Sequence, residues 1–456
     1  MTDATKAQVE NNQNVDRRNY SLILSSGVAS STAGQLISPT LVLPFLYLAL
    51  DAPVIVAGLL LPFMWGASLI AELVAAPFLT RTTRAKIYVV LPTLFSAFAL
   101  VALALSSEGA SPLIIAALFL AVAVILGFCK GISNVGYGQL FGVVVPSDKR
   151  NRVTFTEAMA GGLVAILVVF VTQDFLASES PLQRHITVLW AGIVASIAGA
   201  LIIYGVRLLE EAEREESEVD PEKKAEPEKK SHGIKFGDSL RQIASNLKQG
   251  LETGARYAWF RHYVAARILF LSVTLALPFF TIHASGFHKG TPHGLSILVV
   301  ATSAGVVAGS LIWGWLAGRS RKQVMIASCF LGAAAILLAL ALDFTNMITR
   351  ISLYAVAVFL VAFAGNGVVN GRYLYFIDMT KKKERPNLMA LSDLVVGVLA
   401  IGLASILGIV AHYADPTIPL MVLLAFCLAA GFYSLSLVEP GSQTRNEKPL
   451  HRHTEI

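Results

Sequence analysis

Charge is what this chain lacks most. Only 14% of its 456 residues are Asp, Glu, Lys or Arg, against about 25% in soluble globular domains. A shortfall of that size excludes an ordinary soluble fold. Cysteine is nearly missing too. Cys129, Cys329 and Cys427 sit far apart, each inside an apolar run, which excludes a disulfide framework and a CxxC metal site. No HExxH, GxSxG or Walker sequence occurs. Zinc proteolysis, α/β-hydrolase chemistry and ATP-driven transport therefore lack their residues, and neither an enzyme nor a bound cofactor or metal is expected. The net charge of +6 does not point to nucleic acid, because the cations lie in short clusters between apolar runs rather than along one basic surface.

What the chain has in abundance is apolar runs. Hydrophobic residues make up 55% of it, and crossing a bilayer takes about 20 mostly apolar residues per helix. Twelve such spans can be read, at about 20–48, 53–79, 86–106, 112–145, 153–175, 185–206, 262–286, 292–317, 322–343, 350–376, 387–412 and 416–437. The fold class expected is an all-α membrane protein with twelve transmembrane helices. The organisation is a polar tail over 1–19, six spans over 20–206, a linker over 207–261, six spans over 262–437 and a tail over 438–456. The opening polar stretch is expected to be a tail, not a cleavable signal peptide.

Orientation follows from the loops. One side carries Arg81, Arg84, Lys86, Lys149, Arg150, Arg152, Arg319, Arg321, Lys322, Lys381, Lys382, Lys383 and Arg385; the short loops of the other carry only Arg184, Lys289 and Arg350. The basic side is the cytoplasmic one by the positive-inside rule, with both termini on it. The linker begins as Glu, Lys and Pro with little to bury. It then places Phe236, Leu240, Ile243, Leu247, Leu251, Ala255 and Ala258 on one stripe of a helix. That helix is expected either along the membrane surface or against the cytoplasmic ends of the spans.

The two halves repeat. "LVLPF" at 41–45 matches "LALPF" at 275–279, and Arg84 and Lys86 match Arg319 and Arg321. Gly131, Asn134 and Tyr137 match Gly367, Asn370 and Tyr373; Glu157 and Gly161 match Asp393 and Gly397. The offset drifts only from 234 to 236 over these four matches, so a six-plus-six duplication is indicated. With this duplication, the long central linker and "GWLAGRSRK" after span 8, the chain resembles the major facilitator superfamily. That family's loop motif runs roughly G-x-x-x-D-R-x-G-R-R; Gly318 stands at its acidic position, and "APFLTRTTRAK" after span 2 lacks both the glycine and the acid. "EAMAGGLVAILVVF" in span 5 lacks the proline of the drug exporters' glycine motif. The resemblance implies two pseudo-symmetric bundles rocking about a cavity lined by spans 1, 4, 7 and 10, working on a small-molecule substrate, with protons as a candidate coupling ion.

Polar residues inside those spans are the candidate site, since a polar group facing hydrocarbon costs several kcal/mol. Lys130, Asn134 and Tyr137 share one face of span 4, and Asn366, Asn370 and Tyr373 share the matching face of span 10. These six and Gln35 of span 1 are the expected substrate-binding residues. The alternative is hydrogen bonding that only holds helices together. Pro39 and Pro44 make span 1 bendable. Glu72 and Lys130 count to the same depth, about 28 Å below the outer surface at 1.5 Å per residue. They are expected to form an ion pair, either structural or engaged in proton coupling and attraction of an anionic substrate. Arg84, Glu157, Arg319, Arg321 and Asp393 gather at the cytoplasmic face as a candidate gate. His283, His288 and His293 crowd the outer end of span 7 at a spacing that puts no pair on one helical face.

The function expected is secondary active transport by a monomer in a bacterial inner membrane. The alternative is the same fold serving as a membrane sensor or assembly factor without flux. An alkaline phosphatase fused after Lys383 should be inactive in cells, and one fused at His293 active; the reverse pattern would invert the topology.

Overall fold

The structure, a computed structural model, describes residues 3–79, 85–106, 110–146, 149–175, 180–206, 245, 248–380 and 384–439. Its helices are α1 (Asp3–Leu36), α2 (Val42–Ala49), α3 (Val54–Leu79), α4 (Ile87–Ser106), α5 (Pro112–Val144), α6 (Arg150–Phe175) and α7 (Pro181–Tyr204). After the linker come α8 (Ala258–His288), α9 (Gly294–Ala317), α10 (Arg321–Phe344), α11 (Ile351–Met379), α12 (Arg385–Tyr413) and α13 (Thr417–Ser434). Eleven of these, α3 to α13, are long and apolar enough to cross a membrane. The first span is the pair α1–α2, so the chain has the twelve-helix architecture of an integral, multi-pass membrane protein.

Two departures from the sequence reading concern that first span. The polar stretch read as a tail is helical from Asp3, continuous with the span. Between Leu36 and Val42 the helix then breaks around Pro39, which has no N–H to donate. Broken backbone in a membrane is tolerated only where protein or a cavity satisfies it. Here the Thr281 hydroxyl of α8 donates to the Thr40 carbonyl at 2.9 Å, and the Ser38 carbonyl accepts from the Leu41 and Leu43 amides.

The helices pack as two bundles with repeated internal contacts. In the first, α3 and α4 pack on α5, α4 on α7, and α1 on both α6 and α7. In the second, α9 and α10 pack on α11, α10 on α13, and α8 on both α12 and α13. The bundles meet where α3 lies on α12 and α6 on α9. These two contacts exchange under the sequence repeat, as a pseudo-twofold arrangement requires. Small residues allow the approach. A Cβ on Gly58 would stand 2.5 Å from the Gly408 Cα, and one on Gly162 2.7 Å from a Val307 methyl. Large apolar side chains on the outer surfaces, among them Phe98, Leu113, Leu167, Phe344 and Phe432, stay exposed, as lipid-facing positions should.

The cations of the sequence reading mark one face, the basic face, at which α3, α5, α9 and α11 end and α6, α8, α10 and α12 begin. Linker residues 207–244, with most of the amphipathic stripe, lie outside the described residues. Residues 248–256 are helical and pack by Gly250 and Gly254 against Asn387, Leu388 and Leu391 of α12. Gln249 accepts a hydrogen bond from Asn387 at 3.0 Å. This segment therefore sits on the ends of the spans, with Leu251 and Ala255 exposed. Gly58→Val should cost about 1–3 kcal/mol by overpacking, read as a fall in the thermal midpoint of the purified protein. An unchanged midpoint would contradict the close α3–α12 contact.

Candidate functional site

The packing near the ends away from the basic face repeats too. In the second bundle α8 lies on α11: Phe280 packs on Tyr354, and the Tyr354 hydroxyl donates to the Phe280 carbonyl at 3.0 Å. In the first bundle Tyr47 of α2 packs on Phe119 of α5, and nearer the basic face a cavity of about 350 Å³ opens between α1 and α5. It runs from Ile37 and Pro39 at the break in the first span to Tyr137 and Glu157 near the basic face.

Lys130, Asn134 and Tyr137 of α5 line it, as their shared helical face predicts. Gly127 and Gly131 hold α5 tightly against α3: a Cβ on either would stand within 2.4 Å of the Met64 or Ser68 carbonyl oxygen. Lys130 is exposed to the cavity. Among the described residues its ammonium has no hydrogen bond and no carboxylate within 4 Å. The expected Glu72–Lys130 ion pair is thus not made. Glu72 accepts from Ser68 at 3.2 Å and from Asn134 at 3.1 Å. Asn134 lies one turn beyond Lys130, so counting from the span ends set Glu72 about 6 Å too far from the basic face.

Glu157 is 9% exposed and lies across α1 where Gly27 has no side chain; a Cβ there would stand 2.1 Å from its carboxyl carbon. Among the described residues its one side-chain hydrogen bond comes from the Tyr137 hydroxyl at 3.0 Å. The matching carboxylate of the second bundle is held differently. Asp393, 41% exposed, pairs with Arg267 of α8 at 2.8 Å. Among the described residues neither carboxylate meets a gate arginine. Arg319 stacks on Trp315 with its guanidinium 4.0 Å from the ring centre, and Arg321 pairs with Asp378 at 3.3 Å. Arg84 lies outside the described residues. The contacts that Arg319, Arg321 and Asp393 make among the described residues are therefore within the second bundle.

The rest of the candidate set divides. Asn370 and Tyr373 line a separate, smaller cavity of about 150 Å³ with Arg267, Arg372 and Asp393. Asn366 accepts from the Asn370 amide at 3.0 Å and packs on Gly309. Gln35 is half-buried beside the first cavity without lining it. The two polar stripes thus serve two cavities, one per bundle. Sequence reasoning missed Arg267 and Arg372. Both lie inside the spans read at 262–286 and 350–376, and a cation within a span was the signal available.

Polar contacts between the bundles gather at the face opposite the basic one. Lys289 pairs with Asp51, Arg184 lies 3.3 Å from His293, and the His185 ring lies 3.4 Å from the Lys289 carbonyl. His283 takes Tyr354 at 3.2 Å, and His288 reaches the Ile348 carbonyl at 2.8 Å.

Two bundles, exchanged contacts and a broken first span decide the architecture. This is the fold of the major facilitator superfamily. The model of the Major Facilitator Superfamily matches residues 263–454, which take in the second bundle and the chain beyond α13. Among solved structures of that fold, a D-xylose–proton symporter superposes with a TM-score of 0.65 at 13% identity, covering 92% of this chain and 98% of that one. The xylose transporter XylE from E. coli, partially occluded and inward open, gives 0.64 at 12%, covering 92% and 98%. The nucleoside transporter NupG gives 0.60 at 11%, covering 91% and 98%. Such identities show the fold alone. The uncharacterised protein Rv2209 of Mycobacterium tuberculosis is 25% identical over 325 residues, 70% of this chain. The match spans 58% of that relative's length. A counterpart in Mycobacterium bovis matches equally.

Removing Asp393 from this facilitator fold leaves Arg267, only 7% exposed, without its carboxylate. Asp393→Asn should cost about 3 kcal/mol, and Arg267→Met in the same chain should recover part of it. A thermal midpoint unmoved by Asp393→Asn would mean that the pair carries no weight.

Proposed function

We propose that the chain is a secondary transporter that carries a small solute bearing an anionic group across a bacterial inner membrane by alternating access. Lys130 carries this reading. An ammonium deep in a membrane-spanning helix costs several kcal/mol unless it is compensated, and this one borders the larger cavity with no partner among the described residues. A carboxylate or phosphate of the solute would meet it there. Asn134, Tyr137 and the Ser30, Ser133 and Ser196 hydroxyls supply hydrogen bonds to the rest of the molecule.

The basic face is taken as cytoplasmic, with both termini on it. The bonds at the opposite face then hold the outer side shut, and the protein is inward-facing. Swinging outward-open requires breaking Lys289–Asp51 and Thr281–Thr40. The candidate gate residues Glu157, Arg319, Arg321 and Asp393 would then approach from the two bundles. The symporter among the structural neighbours makes the proton the first coupling ion to test, with Glu157, which lines the cavity, and Glu72, which accepts from the cavity-lining Asn134, the carboxylates to examine.

Proteoliposomes offered labelled small carboxylates, sugar phosphates, hexoses and nucleosides under an inward proton gradient should accumulate at least one anionic class above empty vesicles. Lys130→Met should cut that rate at least tenfold. Accumulation of neutral solutes only, with Lys130→Met unaffected, would overturn the anionic assignment. Saturable binding without flux for any class would make the protein a sensor.

A further inference from the structure

The second bundle carries charge that its own residues do not neutralise. Arg267 of α8, Arg372 of α11 and Asp393 of α12 line the cavity of about 150 Å³. They lie nine, seven and eight residues from the basic-face ends of their helices, so at 1.5 Å per residue all three meet about 10–14 Å into the span. Two guanidiniums face one carboxylate. Arg267 gives one nitrogen, Nη1, to Asp393 at 2.8 Å and to Ser392 at 2.7 Å. Its Nε is buried with no acceptor. The Arg372 guanidinium has no hydrogen-bond or ion-pair partner among the described residues; only its backbone carbonyl is engaged, by the Tyr263 hydroxyl at 3.3 Å.

The repeat shows that these arginines are not part of the duplicated scaffold. Asn370, Tyr373 and Asp393 have counterparts in Asn134, Tyr137 and Glu157, but the positions matching Arg267 and Arg372 are Ala33 and Gly136. A role in holding a bundle together would be needed in both halves. The first bundle does without either cation, and there Glu157 needs only a tyrosine.

We propose that this cavity is a binding site for a small oxyanion group, a carboxylate or a phosphate, held by the Arg372 guanidinium with Arg267 adding positive charge beside it. Guanidinium groups present paired N–H donors that match the two oxygens of such a group. One negative charge brings the cluster of two arginines and one aspartate to neutrality, which removes the cost of an uncompensated cation inside the membrane. Tyr373, half-exposed, and Asn370 border the same space and discriminate what is attached to the anion. The site is distinct from the Lys130 cavity and does not depend on the solute that Lys130 meets.

The test is a binding equilibrium on the purified, full-length protein in neutral detergent, so it stands or falls without transport. Thermal midpoints are measured against rising acetate, inorganic phosphate and chloride at constant ionic strength. A saturable rise with acetate or phosphate and none with chloride is expected. Arg372→Gln should keep or raise the midpoint without ligand and weaken the apparent affinity for the oxyanion at least tenfold, while Arg372→Lys restores part of it. A parallel titration with a lysophosphatidic acid separates sources: a shift with this lipid but with neither free anion assigns the same site to a phospholipid headgroup. Absence of any shift with all three oxyanions, or an identical shift in Arg372→Gln, overturns the proposal.

Discussion

Charge inside hydrocarbon has to be compensated, and the rest of this structure is arranged around that requirement. Water satisfies a polar group anywhere on a soluble protein; in a bilayer only protein or a wet cavity can do so. The first span can break at Pro39 because Thr281 caps the freed Thr40 carbonyl and the cavity borders the bend. Arg267 can be buried because Asp393 faces it. Glu157 can cross α1 because Gly27 leaves the space and Tyr137 donates. Where compensation is incomplete, at Lys130 and at Arg372, the charged group borders a cavity, and these are the places where a ligand has chemical work to do.

Duplication gave the two bundles the same skeleton and let their interiors diverge. The exchanged contacts α3–α12 and α6–α9 preserve the pseudo-twofold axis. Inside, the first bundle has an ammonium and a carboxylate on a cavity of about 350 Å³, whereas the second has two arginines and a carboxylate on one of about 150 Å³. Equal frames thus enclose two cavities of different size and charge.

Much of the frame was legible because hydrocarbon leaves few options. Spans 2 to 12 end within a few residues of where the sequence places them, since basic clusters and prolines mark the boundaries. The shared face of Lys130, Asn134 and Tyr137 was legible from spacing alone. Partners were not. Glu72 pairs one turn away from the depth that counting gave, because α3 and α5 do not start level. Asp393 finds Arg267 on a neighbouring helix rather than Arg319 in the loop, and no repeat encodes which helix lies next to which side chain. Arg267 and Arg372 escaped notice because a cation some ten ångströms inside a span resembles a boundary.

Access to Asn134 from each face tests the account most directly. The cysteines Cys129, Cys329 and Cys427 are all buried, so a single Asn134→Cys residue can be followed with a membrane-impermeant maleimide on oriented vesicles. The account predicts rapid labelling from the basic face, slow labelling from the other, and a rise in the latter when Lys289→Ala loosens the closed side. Labelling from neither face, or a rate from the opposite face that Lys289→Ala leaves unchanged, would contradict a cavity exposed alternately by the rocking of two bundles.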